Sequence, residues 1–165
     1  MKQSLTMTDI AAITAAVARE GDPLAAFRAV DAVAQRALGH KLLTMMRHIE
    51  PTAEVERIYS SNPAAYPIGG RKSKDGTTWG PGVLDRGEVF IAKNADELRA
   101  AFADHALIFS LGIGSIMNVP ILLGGRCLGV MNCCGEAGRY GEAEAQAGRV
   151  LAGLLAAPLS RCGGA

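Results

Sequence analysis

Four kinds of side chain in this 165-residue chain can do chemistry. The first are the thiols Cys127, Cys133, Cys134 and Cys162. Two are adjacent, which a relaxed disulfide rarely allows, and the spacing matches no zinc pattern of the CxxC type. They read as buried thiols packing as small hydrophobes, with redox use of Cys133 or Cys134 as the alternative. The second are bases: Arg57, and the neighbours Arg71 and Lys72. Such groups can hold a carboxylate or phosphate, or simply decorate a solvated loop. The third are polar residues inside apolar runs: Ser115, Asn118 and Asn132. A buried amide or hydroxyl needs a partner, which either a nearby loop or a ligand can supply. Strand alternation puts Asn118 out of phase with Ser115, so the two need not share a face. The fourth are Tyr59, Tyr66 and Trp79, which can wall a pocket with area and a polar tip or anchor a loop.

Other chemistry has no pattern to carry it. His40, His48 and His105 are far apart, and a helix end accounts for Asp104-His105. No HExxH or comparable metal pattern exists. Gly112 and Gly114 do not start a dinucleotide fingerprint, because Met117 takes the third position and the stretch leads into a strand. A GxxxxGK[ST] loop and a GxSxG elbow are missing. Catalytic residues and metal ligands are therefore assigned to none, and the cofactor stays unknown. Lys plus Arg number 17 against 16 Asp plus Glu, a net charge of +1. That balance argues against a nucleic-acid binder and leaves room for an anionic ligand held by local bases. Met1 to Asp9 lacks the apolar core of a targeting segment. No run is long enough to span a bilayer. A cytoplasmic protein with no membrane partner is the expectation.

The elements that must position these residues are legible in part. Apolar residues are 49% and charged residues 20%, as in a globular domain. The length suits one domain, 1–165. Ile10, Ile13 and Val17 predict a helix over 8–19. Asp22-Pro23 caps a second, with Leu24, Phe27, Val30, Val33 and Leu38 as its stripe and Gly39 as its end. Residues 41–49 and 55–60 predict a hairpin in which Val55, Arg57 and Tyr59 share one face. Residues 62–82 hold three prolines and five glycines with no periodicity, and read as a long binding loop or a mobile flap. A short strand over 88–92, a helix capped by Asn94, and strands over 115–123 and 127–134 joined at Gly124-Gly125 follow. A helix over 141–157 ends at Pro158. Its small residues Ala143, Ala147, Gly148 and Ala152 suggest a close helix contact in a homodimer.

The stretch Ser110-Leu111-Gly112-Ile113-Gly114-Ser115-Ile116-Met117-Asn118-Val119-Pro120-Ile121, then Gly125 and Leu128-Gly129-Val130-Met131-Asn132, resembles the GAF family. Tyr140 before the last helix is similar too, and the resemblance spans about 22–158. It implies an α+β fold: a central antiparallel sheet of five to six strands, terminal helices on one face, and a loop and short-helix pocket side on the other. It implies a signalling or sensing module for a small ligand, often a dimer, acting through a partner. Tyr59, Tyr66, Arg71, Lys72, Trp79, Ser115, Asn118 and Asn132 are the candidate ligand contacts. One enzymatic branch, the free methionine-(R)-sulfoxide reductases, is similar at Trp79-Gly80-Pro81-Gly82-Val83, but Leu84 stands where that branch has a cysteine. A third alternative is a ligand-free interaction module whose cavity is filled by Met45, Met46, Met117 and Met131.

Overall fold

The computed structural model describes residues 3–19 and 21–162, so the outermost ends of the expected 1–165 domain lie outside the described residues. Helices α1 (Met7–Arg19) and α2 (Pro23–Ala37) open the chain. Asp22 caps α2 by accepting the Leu24 N–H at 3.0 Å, and Pro23 sits where no intrahelical donor is needed. Strands β1 (Leu42–Ile49) and β2 (Glu54–Ser60) form an antiparallel hairpin. Then come β3 (Arg71–Ser73), a π-type turn at Pro81–Asp85, and β4 (Phe90–Ala92). Asn94 caps α3 (Ala95–Ala101) by accepting the Glu97 N–H, and α4 (His105–Ser110) follows. Strands β5 (Ser115–Leu123) and β6 (Arg126–Gly135) are joined by Gly124 and Gly125 at φ 59° and 79°. Positive φ at both central residues is what a type I′ turn requires. Helices α5 (Glu142–Leu154) and α6 (Ala156–Ser160) close the chain.

The six strands make one sheet in the order β3-β2-β1-β6-β5-β4, and every pairing is antiparallel. Alternation splits its residues between two cores. Leu43, Met45, Met117, Val119, Met131 and Cys133 pack with the terminal helices α1, α2, α5 and α6. Leu42, Met46, Ile116, Val130 and Cys134 pack with Trp79, the Pro81–Asp85 turn, α3 and α4. The α+β architecture expected from the sequence is the one observed.

Several local expectations are corrected. A β-bulge interrupts β2: Arg57 lies opposite Met46 and Tyr59 opposite Met45, so the extra residue Ile58 reverses the alternation. Tyr59 therefore leaves the face of Val55 and Arg57 for the helix side. There its hydroxyl donates to Asp31 on α2, which also meets His40 Nε2 at 2.8 Å. The 62–82 segment is not all loop, since β3 adds an edge strand to β2. Short α4 had no sequence signal strong enough to predict it. The last helix breaks at Leu155, before Pro158, because proline offers no N–H to the Leu154 carbonyl and crowds it. Gly148 and Ala152 are buried within the chain. A Cβ on Gly148 would lie 3.0 Å from Val119 Cγ2 and 3.2 Å from Met117 Cε, so this small pair lets α5 approach β5 rather than a second copy.

Two glycines give opposite expectations. A Cβ on Gly129 would overlap the Met46 carbonyl oxygen and come within 2.7 Å of Leu159 Cδ2. Backbone cannot yield cheaply, so Gly129→Ala should cost about 1–3 kcal/mol. Gly153, exposed in α5, has open space around its Cβ direction, so Gly153→Ala should add about 0.5–1 kcal/mol. Urea unfolding of both variants checks the pair; a Gly129→Ala protein as stable as wild type contradicts the packing described.

Candidate functional site

The sheet face turned away from the terminal helices carries a polar row. The register sets Ser60 beside Thr44, Thr44 beside Asn132, and Asn132 beside Asn118, across four strands. Phe90 on β4 ends the row. The amides form a chain: Asn118 Nδ2 donates to Asn132 Oδ1 at 2.5 Å, and Asn132 Nδ2 donates to Thr44 Oγ1 at 3.0 Å. Asn118 is 4% exposed, and its Oδ1 has no partner among the described residues. A buried acceptor left open costs free energy, so this end of the chain is the polar row's unfilled position.

Over that floor lies a roof built from the 62–85 segment and the turn between α3 and α4. Lys72 and Arg71 are neighbours in an edge strand, so they face opposite ways. Lys72 pairs with Val55 and turns to the pocket, where its Nζ donates to Asp104 Oδ2 at 2.9 Å. Tyr66 donates its hydroxyl to the same oxygen at 3.0 Å. Burial pushes the Asp104 carboxyl up, but Lys72 and Tyr66 outweigh it and hold the group below its ordinary value. Arg57 enters from β2 beneath Tyr66, with its guanidinium 4.8 Å from the ring centre. Its Nη1 donates to the Pro67 carbonyl at 3.0 Å, while its buried Nε has no acceptor among the described residues. Burial pushes the Arg57 guanidinium below its usual value. Trp79 closes the roof, 7% exposed.

Floor and roof enclose a cavity of about 50 Å³. On the scale of about 10–15 Å³ per water-sized probe, this is room for a few small groups. The roof is tied at its ends. Lys74 N–H donates to the Ala53 carbonyl at 2.9 Å, and Lys74 Nζ meets Asp85 at 2.7 Å.

The eight candidate contacts divide. Tyr66, Lys72, Trp79, Asn118 and Asn132 line this cavity. Tyr59 is excluded by the bulge. Arg71 lies half exposed on the sheet's edge, bonded to Glu56. Ser115 has the opposite alternation and donates to the Glu136 carbonyl at 2.6 Å, holding a strand end. Met45, Met117 and Met131 belong to the helix-side core, so only Met46 of the four methionines borders the pocket. Sequence reasoning missed Asp104, because an Asp-His pair before a helix reads as a cap; here the Asp104 side chain makes no cap bond and turns inward. It also missed Thr44, whose signal was the same as that of Asn118: one polar residue within Leu42-Leu43-Thr44-Met45-Met46.

Alternation separates the adjacent thiols as well. Cys133 points into the helix-side core and Cys134 into the pocket side. Burial raises all four thiols, Cys134 to about 12. Among the described residues, no group of three or more His, Cys, Asp or Glu gathers as a metal site would require. No helix among them is long and apolar enough to cross a membrane.

The GAF domain family profile matches residues 10–159. No curated protein matches the sequence. The fold is similar to the GAF domain of a phosphoenolpyruvate-protein phosphotransferase from Coxiella burnetii, at TM-score 0.75 and 18% identity over 94% of this chain and 93% of that one. It is similar to a free methionine-R-sulfoxide reductase from Neisseria meningitidis solved with its substrate, at TM-score 0.72 and 20% identity over 97% and 95%. It is similar to a phycoerythrobilin-bound GAF domain of a cyanobacterial phytochrome, at TM-score 0.73 and 16% identity over 96% of both chains. At these identities the likeness establishes the fold alone. The profile match over nearly the whole chain, on a six-stranded antiparallel sheet with a pocket on its open face, establishes the family: this chain belongs to the GAF domain family.

Proposed function

We propose that this chain is a non-catalytic, cytoplasmic sensor domain that holds a small molecule between the polar row and the 62–85 roof. The observation that carries this reading is the pair of buried, unfilled polar atoms at the cavity, Asn118 Oδ1 and Arg57 Nε. A domain stabilised only by packing gains by removing such atoms. Their retention is explained when a ligand completes them. Two similar folds hold small molecules, the Neisseria reductase its substrate and the phytochrome domain its bilin. The cavity is small, so a ligand larger than a few atoms must lift the roof. Across the pocket the roof is held by the Lys72–Asp104 ion pair, partly open to water and therefore cheap to open, and by the Tyr66 hydroxyl on the same carboxylate.

The test is a thermal-shift screen over amino acids, hydroxy acids, nucleotides and nitrate, followed by fluorescence of Trp79, the single tryptophan of the chain. A ligand at ten times its Kd should raise Tm by about 3–6 °C and change Trp79 emission. Trp79→Phe should keep the shift in Tm and lose the emission change. A screen in which no compound moves either signal overturns the sensor reading and favours the ligand-free interaction module.

A redox enzyme has weaker support. The chemistry of a thiol runs through its thiolate, and burial keeps these thiols protonated near neutral pH. At pH 8, a thiol-disulfide reagent should label less than one cysteine per folded chain within minutes and all four after denaturation, with partly exposed Cys162 first. Rapid labelling of Cys134 in the folded protein restores the redox reading.

Output through a partner or a second copy is proposed for the terminal helices, where Met7 and Val150 are exposed. Sedimentation at micromolar concentration should show a dimer; a monomer there removes the homodimer.

A further inference from the structure

We infer that Asp104 is a built-in occupant of a carboxylate site, and that the ligand is a small carboxylate that displaces it from Lys72 and Tyr66 and gives its second oxygen to Arg57. The inference rests on the sensor reading above and adds the ligand's class and the contact it replaces. Three donors carry it. Lys72 Nζ and the Tyr66 hydroxyl both donate to Asp104 Oδ2, at 2.9 and 3.0 Å. An ammonium and a phenol converging on one carboxylate oxygen make a site for a carboxylate, and Asp104 fills it from within the chain. Arg57 is the third donor. Its guanidinium carbon lies 4.8 Å from the centre of the Tyr66 ring, the ring whose hydroxyl holds Asp104. Arg57 is 5% exposed and feels the Asp104 charge, yet its Nε has no acceptor among the described residues.

The three donors belong to one end of the pocket. Lys72 on β3 pairs with Val55, two residues before Arg57 on β2. Arg57 Nη1 turns to the Pro67 carbonyl, in the β2–β3 connection that also carries Tyr66. One group with two oxygens can therefore serve all three, with no reach toward β5.

Asp104 cannot do the same, because it is tethered to the turn between α3 and α4. It offers one oxygen to two donors and leaves the Arg57 Nε–H unanswered. A free carboxylate is not held at that distance. One of its oxygens takes the place of Asp104 Oδ2, and the other accepts the Arg57 Nε–H in a charge-assisted bond. Lys72 and Tyr66 are then as well bonded as before, and a buried donor gains a partner. The displaced side chain has a destination. Asp104 is 28% exposed at the rim of the roof. It also stands just before α4, where aspartate ordinarily caps a helix, although its side chain makes no cap bond here. Ligand entry thus exchanges an inward Asp104 for an outward one and frees the α3–α4 turn from β3. The ligand favours the second state through contacts available only there, which is what a two-state response requires.

The experiment titrates the full chain and its Asp104→Ser variant, which keeps a hydroxyl to cap α4, with sodium acetate and sodium propionate. Sodium chloride at matched ionic strength, inorganic phosphate and the uncharged isostere propionamide are the controls. Without ligand, Asp104→Ser should melt below wild type, since Lys72 and Arg57 lose their counter-charge. Acetate or propionate should restore its Tm toward the wild-type value and bind it about tenfold or more tighter than wild type, because the internal competitor is gone. Tyr66→Phe or Lys72→Met added to Asp104→Ser should each weaken that binding about tenfold. Asp104→Asn, which loses the charge and keeps the shape, should also bind tighter than wild type and serves if Asp104→Ser does not fold. Equal affinity in wild type and the Asp104 variants overturns the inference. So does tighter binding that survives both Tyr66→Phe and Lys72→Met, which puts the anion elsewhere. Chloride, phosphate or propionamide acting as strongly as the acids overturns the carboxylate class. A compound from the wider screen that binds where the acids do not overturns this inference and leaves the sensor reading standing; silence from both sets overturns both.

Discussion

The structure depends on side-chain alternation along its three central strands, β1, β6 and β5. Each contributes alternate residues to a dry helix-side core and to a face that is covered more loosely. On the dry side, Met45, Met131 and Met117 fill irregular space beneath α2 and α5, and Gly148 removes the bulk that would hold α5 off the sheet. On the other side the same register lines up Thr44, Asn132 and Asn118. A shift of one residue in either pairing would send these amides into the helix-side core, where no partner awaits them. The polar row is thus a consequence of the register and also a reason the register is unique.

The bulge at Ile58 extends this division to the fourth strand. Without it, Tyr59 would follow Arg57 to the pocket side and α2 would lose the hydroxyl that meets Asp31. With it, one short strand supplies the pocket with Arg57 and the helix-side core with Tyr59. The pocket's electrostatics follow from how few charges it holds. Lys72 and Asp104 satisfy one another across the roof, which ties β3 to the turn before α4. Arg57 has a carbonyl acceptor and an aromatic face, and feels the Asp104 charge without a direct ion pair among the described residues. A cation resting on Tyr66 gains about 2 kcal/mol when desolvated, against a cost of several kcal/mol for taking an ion out of water. The imbalance is local and concerns one residue.

Much of this was legible in the sequence. The cap residues Asp22 and Asn94, the Gly124-Gly125 turn and the long apolar strands β5 and β6 each carry a local signal that tertiary structure had no cause to override. Asn118, Asn132 and Trp79 stood out as single polar or aromatic residues in unusual company. What stayed hidden depends on pairing rather than pattern. A bulge leaves no mark on β2 until Arg57 and Tyr59 are seen against Met46 and Met45. Residues Arg71-Lys72-Ser73 look like loop because an edge strand of three residues is defined by its neighbour, not by its own periodicity. The partition of Arg71 from Lys72, and of Cys133 from Cys134, needs only the period of two, yet it requires knowing that both pairs lie in strands. Asp104 was misread because the same residue type serves as a cap and as an inward counter-charge. Gly148 and Ala152 were misread because a small residue admits a close neighbour without saying whether that neighbour is a helix of another copy or the strand beneath.

The most direct measurement is of the Arg57 Nε–H itself. In ¹H–¹⁵N NMR of the full chain, this proton, which has no acceptor among the described residues, should move downfield and exchange more slowly on saturation with a small anionic ligand, as expected for a charge-assisted hydrogen bond. The Trp79 indole N–H should shift in the same titration with the same Kd. An Arg57 Nε–H that stays unmoved while a ligand saturates the pocket contradicts the account.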